Sequence, residues 1–132
     1  MKLDQSKLDG AGKPKNGHFE EHFKDGTVAC AGHYAGGEKS GEWKYYLKNG
    51  RVKAVGSYKN GKMKGPWTWY RENGQLMQTG AFDENEQKTG IWKRYHPNGA
   101  LLDEGAFTAN KKTGEWKSYD AAGKLKKTQR HK

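Results

Sequence analysis

The chain has 132 residues, 32% of them hydrophobic and 30% charged, with a formal net charge of +10. That length suits one domain, and so polar a composition excludes a thick two-layer core. A single cysteine excludes an internal disulfide and a thiolate zinc cluster, and the absence of a long apolar run excludes a membrane-spanning helix.

Residues 1–15 mix Lys, Asp, Gly and Pro without periodicity and read as a flexible arm. From residue 16 a pattern takes over and runs to 132. Its opening glycines are Gly17, Gly41, Gly65, Gly90 and Gly114, at intervals of 24, 24, 25 and 24 residues. Two residues on stands an aromatic: Phe19, Trp43, Trp67, Trp92 and Trp116. Three further come His22, Tyr46, Tyr70, Tyr95 and Tyr119. The turn signals are Asp25-Gly26, Asn49-Gly50, Asn73-Gly74, Asn98-Gly99 and Ala122-Gly123, followed by Val28, Val52, Leu76, Leu101 and Leu125. A second glycine column, Gly32, Gly56, Gly80 and Gly105, precedes Tyr34, Tyr58, Phe82 and Phe107. A fixed period of this length means stacked units that share one core. The polar links between them are 36–40, 59–62 and 83–88, the last carrying the extra residue of the 25-residue interval.

Glycine density and period-2 alternation make each unit a pair of strands. Read as two-residue turns, the Asn-Gly pairs set a register in which Trp43 faces Gly56, Trp67 faces Gly80 and Trp92 faces Gly105. Gly41, Gly65 and Gly90 then face Tyr58, Phe82 and Phe107. Each ring would lie over the glycine opposite, which gives mid-strand glycine a reason. A bulged turn would shift this register by one, so the match favours the two-residue turn.

Alternation then sorts the residues. The aromatic face takes Phe19, Phe23, Val28, Tyr34, Trp43, Tyr45, Leu47, Val52, Tyr58, Trp67, Trp69, Leu76, Phe82, Trp92, Leu101, Phe107, Trp116 and Leu125. The other face takes the column Tyr46, Tyr70, Tyr95 and Tyr119, flanked by Lys44, Lys48, Lys53, Lys93, Lys117, Lys124 and Lys126.

The pattern G-x-W-x-x-Y-x-x-N-G-x-L-x-x-x-G-x-Y/F resembles the MORN repeat in its second, bacterial variant. Arrays of this variant resemble the YwqK-type antitoxin family. The resemblance spans about residues 16–128. It implies an all-β, elongated, single-layer curled antiparallel sheet of about five consecutive hairpin repeats, with no catalysis and no cofactor. It makes Trp43, Trp67, Trp92, Trp116, Gly56, Gly80, Gly105, Tyr58, Phe82 and Phe107 the structural core of the repeat. It also implies binding to proteins or, in eukaryotic members, lipids.

No Ser/His/Asp or Cys/His arrangement, phosphate loop or H-E-x-x-H stands in the sequence. In the derived register His18 faces His33, with His22 on the same face. A transition metal there lacks a carboxylate or thiolate to complete the set, so no metal is expected. Cys30 reads as an inert packed thiol.

The expected partner surface is Tyr46, Tyr70, Tyr95 and Tyr119 with Lys44, Lys93 and Lys117, since tyrosine gives interface area at low rotamer cost. The competing reading is that the four rings pack on one another. The net charge suits an acidic partner, so the leading expectation is a non-catalytic antitoxin or immunity protein that covers a cognate toxin bearing an acidic surface. The alternatives are a nucleic-acid or anionic-lipid binder, with weak contact through the basic tail 124–132, and a structural scaffold. The expected location is the cytoplasm; a removed leader would instead place the chain in the periplasm or outside the cell.

Overall fold

The computed structural model describes residues 12–132. Of the arm expected over 1–15, residues 1–11 lie outside the described residues. Ten strands follow in order: β1 (Gly17–His22), β2 (Val28–Ala35), β3 (Glu38–Tyr46), β4 (Val52–Lys59), β5 (Lys62–Tyr70), β6 (Leu76–Phe82), β7 (Lys88–Tyr95), β8 (Leu101–Thr108), β9 (Lys111–Tyr119) and β10 (Leu125–His131). Each pairs antiparallel with the next, giving one open, curled sheet in which sequence order is spatial order. The five hairpins of the repeat are β1–β2, β3–β4, β5–β6, β7–β8 and β9–β10.

The outer register is the one the spacing predicts. Trp43 pairs with Gly56, Trp67 with Gly80 and Trp92 with Gly105. The turns, however, are not two-residue Asn-Gly turns. Gly50 N–H donates to the Leu47 carbonyl at 2.9 Å, Leu47 N–H donates to the Arg51 carbonyl at 2.8 Å, and the residue with positive φ is Gly50 at 87°. This is a three-residue loop, a type I turn closed by a glycine bulge. The same pair of bonds closes the other four hairpins, at Phe23, Arg71, His96 and Asp120. Such a turn does shift the register by one, and a second bulge shifts it back. Tyr46 pairs with Val52 but Tyr45 with Ala54, leaving Lys53 as the extra residue. Ala29, Met77, Leu102 and Lys126 are the extra residues of the other hairpins. Two opposed irregularities cancel, so a correct outer register coexists with an incorrect turn.

The inner register changes the faces. Val28, Val52, Leu76, Leu101 and Leu125 pair with His22, Tyr46, Tyr70, Tyr95 and Tyr119. Directly paired residues share a face, so these aliphatics join the tyrosine face and not the aromatic one. Lys53, expected beside the tyrosines, is the extra residue of its bulge and lines a groove with Leu47, Trp69, Tyr70 and Met77.

The tryptophans also cover different glycines from those expected. A Cβ on Gly32 would fall 2.1 Å from the Trp43 ring; on Gly56, 2.0 Å from Trp67; on Gly80, 2.1 Å from Trp92; on Gly105, 2.1 Å from Trp116. Each indole therefore leans back over the preceding hairpin instead of its own partner strand. Its Nε1–H donates to that hairpin's backbone, from Trp43 to the His33 carbonyl at 3.0 Å and from Trp67 to the Ser57 carbonyl at 3.1 Å. Trp92 and Trp116 reach the Ala81 and Ala106 carbonyls in the same way. A buried indole needs that acceptor. The tryptophans weld one repeat to the one before it, and they are the core: Trp43, Trp67, Trp92 and Trp116 are 1%, 2%, 3% and 8% exposed.

The opening glycines have another role as well. A Cβ on Gly65 would meet nothing within 4 Å, but Gly65 has φ +70°. It sits where β5 bulges against β4: Gly56 pairs with Trp67, and the next pair along is Ser57 with Lys64. A left-handed residue is required there, not room for a ring.

The opposite end of the sheet holds the tight turns. Gly36-Gly37, Asn60-Gly61 and Ala109-Asn110 carry positive φ at both central positions, as two-residue hairpin turns with the right twist demand. The longer link closes instead on Glu86, at φ 60°, and the Glu86 carboxylate accepts the Met63 N–H at 3.0 Å.

Candidate binding faces

A single-layer sheet leaves two faces. On the reverse face the structure brings the predicted tyrosines into one column, each half-buried beside its paired aliphatic. Successive hairpins are about 10 Å apart, from two strand spacings of roughly 4.8 Å, so the column crosses most of the sheet. Lys44 pairs with Val55 and Val55 with Thr68; Lys93 and Lys117 both pair with Glu104. These residues form one row beside the tyrosines. The lysines are partly offset by carboxylates: Lys44 Nζ lies 3.9 Å from Glu42 and Lys117 Nζ 3.6 Å from Glu115. The Tyr119 hydroxyl donates to Glu104 at 3.2 Å; desolvation and that carboxylate push the phenol up from its ordinary value. Tyr70, Val52, Val55 and Lys44 line a groove of ≈ 550 Å³. Among the described residues, the ring pairs all lie elsewhere, so the tyrosines do not stack on one another.

The aromatic face carries a continuous chain of rings. Edge-to-face contacts run from Phe19 to Tyr34 (5.1 Å), Tyr34 to Trp43 (5.2 Å), Tyr58 to Trp67 (5.2 Å), Phe82 to Trp92 (5.4 Å) and Phe107 to Trp116 (5.1 Å). Trp69 is sandwiched between Trp67 at 5.9 Å and Trp92 at 5.7 Å. Above the rings stand ammonium groups that the sequence reading missed. Lys39 Nζ is 5.0 Å from both the Trp43 and Tyr58 centroids, Lys88 Nζ 4.8 Å from Trp92, and Lys112 Nζ 4.6 Å from Trp116. The signal was available, because the position two before each opening glycine reads Lys15, Lys39, Met63, Lys88 and Lys112. Cations over ring faces are stabilised by the ring quadrupole.

The two ends of this face differ in the row beside the tryptophans. Near the N-terminus, Lys39 Nζ donates to the Tyr45 hydroxyl at 2.9 Å, and the Tyr45 and Tyr58 hydroxyls are 2.8 Å apart. Burial, foremost, pushes both phenols up, and burial likewise pushes up the thiol of Cys30, which is 8% exposed. That agrees with an inert packed thiol. Near the C-terminus, Arg94 stands where Tyr45 and Trp69 stand. Its Nε–H donates to Asp103 Oδ1 at 3.0 Å and its Nη2 to Oδ2. The bidentate carboxylate raises the guanidinium's affinity for its proton.

His18 and His33 are paired, with rings 5.6 Å apart, and His18 and His22 both reach Glu20, at 3.0 and 3.5 Å. Among the described residues no group of three metal-ligating side chains is assembled. No described helix is long and apolar enough to cross a membrane.

A family model described as the MORN repeat variant matches residues 39–60, 63–85, 88–108 and 112–132, about two thirds of the chain. Its matches leave out the first hairpin, β1–β2, which the structure nonetheless folds like the rest. No curated protein matches the chain. A crystal structure of a variant of S. aureus TarM, in complex with Fondaparinux, alpha-GlcNAc-glycerol and UDP, is similar at TM-score 0.44 and 14% identity. The likeness covers 75% of this chain, which spans 21% of that one.

Proposed function

Since the chain belongs to the MORN repeat variant family, and so is built as a repeat-based binding module, we propose that it neutralises a cognate toxin by direct, non-catalytic binding. The observation that carries this reading is the reverse face, which no second layer covers among the described residues. Four tyrosines about 10 Å apart, each beside an aliphatic, with Lys44, Thr68, Lys93 and Lys117 in the row next to them, give a rigid amphipathic strip of the kind partners dock on. The net charge of +10 matches an acidic toxin surface and makes association salt-sensitive. The proposed setting is the cytoplasm.

The test joins capture to phenotype. The tagged chain, drawn from its source cell at low salt, should retain one stoichiometric protein that arrests growth when expressed alone. Growth should return on co-expression with this chain, but not with the Tyr70→Ala/Tyr95→Ala form. If nothing is retained, and DNA or anionic vesicles bind instead through the exposed strand β10, the toxin reading fails.

A further inference from the structure

A pocket of ≈ 260 Å³ lies on the aromatic face across β7, β8 and β9, with Gln78 of β6 at its edge, away from the tyrosine column. Trp92, Phe107 and Trp116 form its floor, and Lys88, Lys112 and Arg94 stand around it. In the earlier hairpins the matching places are filled by the rings of Tyr45 and Trp69.

Its charges are unevenly used. Lys88 Nζ lies 4.8 Å from the Trp92 centroid and 4.9 Å from that of Phe107, and Lys112 Nζ 4.6 Å from that of Trp116. Neither ammonium takes part in the salt bridges among the described residues. The one carboxylate of the lining, Asp103, has 11% of its side-chain surface exposed and is held by Arg94 through Nε and Nη2. Three cations therefore face one anion that is already engaged.

We propose that this pocket receives the carboxylate of a glutamate or aspartate side chain presented by a partner polypeptide. Size favours an anchor residue, because pockets for whole small molecules run from about 300 to 1,000 Å³, whereas one acidic side chain fits here. Charge favours a carboxylate. It would meet two ammonium groups that enter no salt bridge among the described residues, over apolar ring faces that lower the local dielectric and so strengthen the attraction. The stem of the side chain would rest on the rings below. The site lies on the other face from the tyrosine column and stands whether or not that column meets a toxin.

The test is a titration of the full-length chain, followed at the indole N–H signals of Trp92 and Trp116 by NMR. The probe is acetyl-Gly-Gly-Glu-Gly-Gly-amide, with the Gln peptide as control. A saturable shift in the millimolar range is expected with Glu and none with Gln. Lys88→Met/Lys112→Met should weaken the binding at least about tenfold, as loss of charge-assisted contacts does. Methionine is the substitution of choice because Met63 occupies the same place in the third repeat, and an unchanged thermal midpoint checks the fold. The proposal is overturned by no shift, by equal shifts with both peptides, or by an unaffected double variant. It is equally overturned if inorganic phosphate at matched ionic strength occupies the site more tightly than the Glu peptide.

Discussion

The two ends of the aromatic face share one backbone and one weld, yet differ in what stands beside it. In the second repeat Trp43 lies over Gly32, and Tyr45 and Tyr58 share a hydrogen bond beneath Lys39. In the fourth and fifth repeats Trp92 and Trp116 lie over Gly80 and Gly105 in the same way, but in the fourth Arg94 and Asp103 stand where Tyr45 and Ala54 stand, and Phe107 takes the place of Tyr58. The tryptophan–glycine contact is thus the constant of the array, since it is what joins hairpin to hairpin. The adjacent row is free to vary, because one-sided packing asks only that the row be filled or ion-paired. Binding chemistry can be rewritten there repeat by repeat without disturbing the stack.

The largest effect should come from breaking the weld. Trp67→Ala removes a side chain that is 2% exposed and should cost about 3–5 kcal/mol in chemical unfolding. Gly56→Ala forces a methyl into the Trp67 ring and should cost about 1–3 kcal/mol. A near-neutral Gly56→Ala would mean that the ring can move aside and the weld is loose.

The variable row comes next. Arg94→Met strands Asp103, whose side chain is 11% exposed. Breaking a fully buried pair costs about 3–5 kcal/mol; the half-exposed guanidinium discounts that to about 1–2 kcal/mol. Restoring neutrality with Asp103→Leu in the same chain should recover most of the loss. If Arg94→Met is silent, the C-terminal end does not depend on its ion pair and the contrast with the phenol end weakens.

Gly65→Ala isolates backbone strain, since φ is +70° and the space is open. It should cost about 1–2 kcal/mol, and Asn at the same site should cost less than Ala. That separates the opening glycines from the ones beneath the indoles.

The smallest effect is alkaline. The native state keeps the Tyr58 and Tyr45 phenols protonated above their ordinary value of 10.0. Above pH 10 the unfolded chain therefore binds fewer protons than the folded one, and stability falls as pH rises. Thermal midpoints between pH 9 and 11 should drop less for Tyr58→Phe than for the parent chain. Arg94→Met, at the other end of the face, should leave that slope unchanged.

Much of this was legible in the sequence, for a reason that can be located. The five opening glycines and the Trp–Gly spacing fix five hairpins, and the outer pairing of Trp67 with Gly80 stands. The tyrosine column was legible too, because three-residue spacing from each tryptophan is counted along one uninterrupted strand. The lysines over the rings were present as a column ending at Lys112, but nothing in a lysine's identity says that its ammonium will fold back over the aromatics of its own hairpin.

What the sequence determined by itself is everything that depends on counting along one strand: the period, the strand pairs and the alternation within each strand. The tertiary structure decided whatever depends on which of two equivalent neighbours a group chooses. Asn49-Gly50 suits either a two-residue turn or a bulged one, and the bulged turn with a second bulge at Lys53 reaches the same outer register that a two-residue turn alone would give. Trp67 has Gly80 on one side and Gly56 on the other, both in its row. The indole takes Gly56, because there its N–H finds the free carbonyl of Ser57 at the bulge that Gly65 opens.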